Sequence, residues 1–496
     1  MKFRVKDMDI ATGGIFVAIL NQKDAHKLDL HSGDRILVAD GQKSITCILD
    51  ISESDRAVSD GKIGLFEEVL ANLNVKHGAV VEVKFTGKPE SVAHIRDKLF
   101  GKELRYREIL HIMSDIAHDH LTDIEKTYFV AAGFVQGWTP EEIVHMTKAM
   151  VNTGKRLKFS PMTLDKHCIG GVGGNRTTMV VVPIIAAAGF TIPKTSSRAI
   201  TSPAGTADTM ECLAQVELSE QKIKEVVRKT GACIIHGGSL LLAPADDKII
   251  DVEHPLSIDA EGQLLASVMA KKYSVSATHV LIDIPMGKGT KAPTKKKGRH
   301  LKKMFELIGK KMGMKVKVIL TDGSQPIGNA VGPLLEAQDV MSVLRNDPHA
   351  PPDLRKKALY MAGQLLEMTK KYKKGQGEKV AQDLLDSGQA FRKMKDIIEA
   401  QGRQNNCTVG RFSHQVKAPR AGIITAIDNE TIAKIARISG APHDKGAGLL
   451  LVKKVGSSVQ KNEKLFNIYA ESEFKIKLVK EYLQQTNGYV ISGKNK

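Results

Sequence analysis

The 496-residue chain has little cysteine, few aromatics and no long apolar run. Its five cysteines (Cys47, Cys168, Cys212, Cys233, Cys407) are odd in number and scattered, with no CxxC pair. That pattern excludes a disulfide framework, argues against structural zinc and favours a reduced, cytoplasmic setting. No apolar stretch reaches the roughly 20 residues of a membrane span, so no membrane partner is expected. The opening segment MKFRVKDMDIATGGIF lacks the apolar core of a signal peptide. Aromatics make up only 5% of the residues, which bears on the net charge of +18. The basic excess gathers at 291–303, 310–320 and 370–379 with no aromatics interleaved, so no stacking platform for bases is present. A nucleic-acid partner is therefore disfavoured against solvated helix faces, some of which could draw in an anionic small substrate.

The remaining composition, 42% hydrophobic and 26% charged, is that of an ordinary soluble protein. At 496 residues the chain is too long for one core, so two to four domains are expected. Residues 1–86 alternate short apolar runs (FRVKDMDI, GIFVAIL, DRILVAD, SITCILDI, AVVEVKF) with turns, which predicts a small N-terminal β domain. From 91 to 158 the period becomes helical, and TPEEIVHMTKAMVNTG carries a capping box with Thr139, Pro140 and Glu142. Residues 159–404 mix buried strand-like runs (MVVVPII, HVLIDIP, KVKVILTDG) with amphipathic helices, which predicts an α/β domain with a central sheet. Short strands return over 405–496 as a C-terminal β-rich domain. The expected fold class is thus multidomain α/β.

Two stretches concentrate polar chemistry. DKHCIGGVGGNRTT, residues 165–178, is neither a Walker loop nor a dinucleotide turn, because Asn175-Arg176 and Arg176 stand where those need Lys-Ser/Thr and glycine. It lies between MTLDKH, read as a strand, and NRTTMVVVPIIAAAG, read as a helix. Glycine N–H groups and a helix N-terminus then meet at one point, which favours an anion. Lys166 adds charge, and Thr177 and Thr178 add hydroxyls. A βα turn that binds nothing would leave that coincidence unexplained. The second stretch, TSSRAITSPAGTADTME, offers seven hydroxyls within residues 195–209, with Arg198 among them. Phosphate or a sugar phosphate would use both features.

These stretches, KHCIGGVGGNRTT and SSRAITSPAGTADTME, resemble the thymidine phosphorylase and AMP phosphorylase family over essentially the whole chain. The extra N-terminal β domain is similar to that of the AMP enzymes. The resemblance implies phosphorolysis: AMP and phosphate give adenine and ribose 1,5-bisphosphate, by way of an oxocarbenium-like state. Phosphate is then a co-substrate, and no cofactor is implied. No His/Cys/Asp cluster has metal-ligand spacing.

By that resemblance Lys166, Gly171, Thr177, Ser197 and Thr206 hold phosphate. Arg198, Ala199, Ile200, Thr201, Ser202 and Lys291 hold the nucleotide, Asp259 is the proton donor and Ser267 orients base or ribose. Lys271 shares a helical face with Ser267. His167 either touches substrate or is structural. Asp251-Val252-Glu253-His254-Pro255 lacks the arginine by which the pyrimidine enzymes read base carbonyls, which points to a purine. Cys168 stands where the family has serine, and Gly173 where the AMP enzymes have proline. The resemblance further implies a homodimer through the helical domain, or a larger homo-oligomer. A pyrimidine-nucleoside phosphorylase is the alternative.

Overall fold

The computed structural model describes the whole chain except Gln42, Ile200, Thr201, Ser257, Asp259 and residues 494–496, and except the side chains of Ser239 and His254. Packing divides it into two units: Met1–Gly137 with Lys248–Pro255, and Trp138–Asp247 with Leu256–Lys496.

In the first unit, period-two alternation closes a barrel. Strands β1 (Lys2–Asp7), β2 (Val17–Asn21), β3 (Arg35–Ala39), β4 (Ser44–Ser52), β5 (Lys62–Leu65) and β6 (Val80–Phe85) follow the order β1-β5-β2-β4-β3-β6. The pairs β1–β5 and β2–β4 are parallel and the others antiparallel. Phe3, Val5, Ile36, Val38, Cys47, Leu49 and Ile63 fill the interior, so Cys47 is a core side chain whose thiol burial pushes its pKa up to about 12. Closure removes sheet edges. Arg35 ties the barrel to the helices that follow, through an ion pair to Glu125 and a hydrogen bond to the His120 carbonyl. Those helices are Ser91–Leu99, Tyr106–Ala117 and Asp123–Gln136.

The expected helical stretch 91–158 divides at Gly137. Helix Pro140–Asn152, with the foreseen Thr139–Glu142 capping box, packs on helix Glu261–Tyr273 in the second unit. Trp138 begins that unit and fits against Gly262, where a Cβ would lie 2.2 Å from the indole Cδ1.

The second unit holds a parallel sheet of β7 (Leu164–Cys168), β10 (His279–Met286) and β11 (Lys315–Asp322), in the order β11-β10-β7. A parallel pair, β8 (Ile192–Ser196) and β9 (Ala232–His236), joins it through a single bridge between Thr163 and Thr191. The run MVVVPII, strand-like in composition, is helical: it forms the interior of helix Thr177–Ala187. Ten of that helix's residues are buried, so it shows no amphipathic period, and β-branched composition misleads there. Helices Pro352–Met368, Gly377–Asp386 and Gln389–Gln401 pack with it in one core.

The C-terminal segment builds two sheets. The first, β12-β15-β17-β13, combines β12 (Ala330–Val331), β13 (Phe412–Lys417), β15 (Gly448–Leu451) and β17 (Lys464–Ala470). The second, β16-β14-β18, combines β14 (Gly422–Ile427), β16 (Ser458–Val459) and β18 (Tyr489–Ser492). Helices Asn429–Ile438 and Glu473–Leu483 cover their shared core. Because β12 belongs to the first sheet, the C-terminal fold reaches back to residues just beyond β11. Among the described residues no helix is long and apolar enough to cross a membrane.

Candidate active site

The glycine loop leaves the C-terminal end of β7 and enters helix Thr177–Ala187, where parallel α/β sheets open a crevice. Two of its glycines, Gly171 and Gly174, combine a positive φ with backbone packed where a Cβ would lie. Gly171 has φ +88°, and a Cβ there would lie 2.7 Å from Thr290 Cα and 3.2 Å from Lys291 N. Gly174 has φ +67°, and its Cβ would lie 2.3 Å from the Ile327 carbonyl oxygen. The loop is thus wedged between the Gly287–Lys291 turn and the segment leading to β12. Lys291, far away in sequence, comes beside Gly171.

Lys166 is fully buried. Its ammonium donates to Thr177 Oγ1 at 2.8 Å and Thr178 Oγ1 at 3.2 Å. No carboxylate among the described residues forms an ion pair with it, and burial lowers its pKa. A buried cation on neutral hydroxyls is unstable unless an anion completes it. Cys168, on the same face of β7, accepts Asn175 Nδ2 at 3.2 Å, and burial holds its thiol protonated. On the other face of β7, Asp165 pairs with Lys272 at 2.8 Å and Lys194 at 3.5 Å. His167 lies amid this charge. Burial, followed by the fields of Lys272, Lys194, Lys271 and Lys166, holds its pKa well below the usual imidazole range, so the ring is neutral.

Arg176, which sequence reasoning passed over inside its own quoted motif, links the two loops. It donates to Thr206 Oγ1 and to the Ala204 carbonyl, both at 3.0 Å, and pairs with the buried Glu336. Its partners Ala204, Thr206 and Glu336 come from distant segments, so no local pattern marks it. Thr206 therefore sits beside the glycine loop. Ser202 Oγ donates to the Ala204 carbonyl at 3.1 Å, while Ser197 is exposed and its carbonyl accepts Ser196 Oγ. Arg198 turns to carboxylates: Glu211 at 2.7 Å, Glu217 at 2.7 Å and Asp208 at 3.4 Å. The Arg198 hydrogen bond holds the Glu211 pKa down at about 2. Its guanidinium is charge-compensated within the protein, which differs from the open anion contact expected of it.

A second cluster forms on helix Glu261–Tyr273. Ser267 Oγ donates to Asp246 Oδ2 at 2.9 Å, and Lys271 donates to Asp246 at 2.7 Å and to Ser267 at 2.9 Å. Asp246, almost fully buried, was not foreseen, because only the fold brings residues 246 and 267 together. Lys272, the next residue on that helix, pairs with Asp165 of β7 at 2.8 Å, which ties this helix to the strand that leads into the glycine loop. Thr177, Thr206, Gly171, Lys166 and Lys291 therefore lie around one region. Ile200, Thr201 and Asp259 lie outside the described residues. Among the described residues no group of three or more His, Cys, Asp or Glu could hold a metal ion.

The arrangement gathers buried cations, hydroxyls and glycine N–H groups at the end of a parallel sheet, a setting for phosphoryl or phosphate oxygens. Comparison with known proteins gives the same chemistry a lineage. Residues 160–391 match the glycosyl transferase family a/b domain, residues 92–154 its helical bundle domain, and residues 423–490 the pyrimidine nucleoside phosphorylase C-terminal domain. A protein of Legionella pneumophila strain Paris, named "putative thymidine phosphorylase", is 46% identical over 93% of this chain and 89% of its own length. One of the same name from Rhodopseudomonas palustris is 41% identical over 99% of this chain and 96% of its own. Among solved structures, an anthranilate phosphoribosyltransferase from Thermus thermophilus shares the fold, with TM-score 0.54 and 17% identity, over 62% of this chain and 99% of its own. With glycine loop, helical bundle and C-terminal domain all matched, the chain belongs to the thymidine phosphorylase family of glycosyl transferases and is a pentosyltransferase of the phosphorylase type.

Proposed function

We propose that the protein catalyses phosphorolysis of a nucleoside 5′-monophosphate, with AMP as the preferred substrate. An oxygen of inorganic phosphate attacks C1′ of the ribose as the C1′–N bond breaks and its electron pair leaves with the base. The base takes a proton, and ribose 1,5-bisphosphate remains. The observation that carries this reading is Lys166: a fully buried ammonium under a glycine loop, held by Thr177 and Thr178 instead of a carboxylate. A dianionic nucleophile completes that site electrostatically and is positioned by it.

In this reading Lys166, Gly171, Thr177, Ser197 and Thr206 hold the attacking phosphate. Lys291 and the backbone and hydroxyls of Arg198–Ser202 hold the 5′-phosphate, with Arg198 itself acting through the carboxylates it organises. Ser267, oriented by Asp246 and Lys271, contacts the base or ribose. Asp259 donates the proton, a task that needs a carboxyl kept protonated near neutral pH. The absence of arginine from Asp251–Pro255 supports a purine. A second reading, phosphorolysis of thymidine, is supported by the name its relatives carry.

The test is base release across AMP, CMP, UMP, thymidine and uridine, with and without phosphate. Adenine from AMP as the fastest phosphate-dependent product supports the first reading. Thymine from thymidine with AMP inert replaces it by the second.

A further inference from the structure

Lys445 is remote in sequence from both loops, in the turn before β15, where its carbonyl accepts the Leu334 N–H at 3.1 Å. Its ammonium lies 2.7 Å from Glu211 and 3.4 Å from Asp208. Asp208 is buried and acts as a hub. Its Oδ2 accepts the backbone N–H of Ala199 at 2.7 Å and of Gly205 at 2.9 Å. Its Oδ1 faces Arg198 and Lys445, each at 3.4 Å. The closure this produces is tight: a Cβ on Gly205 would lie 2.8 Å from the Ala199 nitrogen. One carboxylate thus holds two separate points of the hydroxyl-rich stretch, Ala199 and Gly205. Arg198, drawn towards Glu211 as well, does not neutralise that carboxylate alone.

We propose that Lys445 is a positioning residue for the substrate loop: through Asp208, the C-terminal segment of the chain holds the Ala199 and Gly205 backbone of that loop in place. Removing the ammonium leaves Asp208 and Glu211, together with Glu217, to share Arg198 alone. Arg198 moves towards Glu211, Asp208 turns, and the Ala199 and Gly205 N–H groups lose their acceptor. This inference rests on the reading of residues 197–206 as part of the substrate site.

The experiment compares full-length wild type with Lys445→Met and Lys445→Arg. Lys453→Met, which removes a different C-terminal ion pair (to Glu463), serves as the control. Amide hydrogen exchange at Ala199 and Gly205 is measured alongside KM for AMP and kcat at saturating phosphate. The expected result for Lys445→Met is exchange and KM both raised roughly tenfold, with kcat within about twofold of wild type. Lys445→Arg is expected to restore both, and Lys453→Met to leave both unchanged. Unchanged exchange in Lys445→Met overturns the inference. So does raised exchange with unchanged KM, or the same response from Lys453→Met. Wild-type turnover reports separately on the proposed function: a chain inactive on AMP overturns that reading, while the exchange arm still decides whether Lys445 holds the loop.

Discussion

Lys166 poses the sharpest question at the scale of single residues. Burial lowers its pKa, so the native fold carries this ammonium at a cost in stability and gains an anion site in return. Lys166→Met is expected to lower kcat/KM for phosphate by about 10²–10³ while thermal stability stays level or rises, because transition-state charge loses its partner and a buried charge is gone. Kinetics and a melting curve on the same preparation check both halves. Cys168 gives a change in the other direction. A thiol donates weakly, so Cys168→Ser is expected to lower KM for phosphate by about threefold. Steady-state titration of phosphate against saturating nucleotide measures it.

Gly171 and Gly174 decide the outcome at the scale of elements. Both have positive φ, and a Cβ on either meets backbone within 2.7 Å or less. Gly171→Ala is expected to cost about 1–3 kcal/mol of stability and most of the activity, since strain and the push against Thr290 combine. Denaturant unfolding and the phosphorolysis assay read the two effects. In the barrel, the loop before β2 is held by Glu68, which accepts the N–H groups of Thr12, Gly13 and Gly14. The Thr12 hydrogen bond is the chief cause that lowers its pKa to about 2. The native state thus binds fewer protons than the unfolded chain between about pH 4.5 and 2, so this stabilisation is full above pH 4.5 and lost as pH falls through 2. Glu68→Gln is expected to melt below wild type at pH 6 and to lose less of its Tm on going to pH 3. A variant whose Tm falls in parallel with wild type contradicts that role.

The same scale shows what could be read from residues alone. Alternation exposes β1, β2, β3, β4 and β6, whereas β5 has only four residues and too little pattern to register. The run MVVVPII has strand composition but lies wholly inside, so no period separates helix from strand. Helices Asn429–Ile438 and Glu473–Leu483 were hidden because their apolar residues sit among short strands. The glycine loop was legible because positive φ and crowding demand glycine. Asp246 and Arg176 were not, since their roles exist only once distant segments meet.

Across the whole molecule, a parallel α/β core displays the glycine loop, and the C-terminal sheet takes in β12, next to the residues on which Gly174 rests. Lys445 gives the same segment a hold on the hydroxyl-rich loop. The C-terminal segment thus adjoins the glycine loop through β12 and the hydroxyl-rich loop through the Lys445 contacts to Asp208 and Glu211. The chain is similar over nearly its whole length to proteins named putative thymidine phosphorylase, while Asp251–Pro255 contains no arginine. Base and phosphate requirement are therefore best decided together. Purified full-length protein is given AMP or thymidine, with and without inorganic phosphate, and free base is quantified. The expected result is adenine from AMP only when phosphate is present, with ribose 1,5-bisphosphate as co-product and faster than any thymine from thymidine. Base release that does not require phosphate, or thymidine cleavage with AMP untouched, would contradict it.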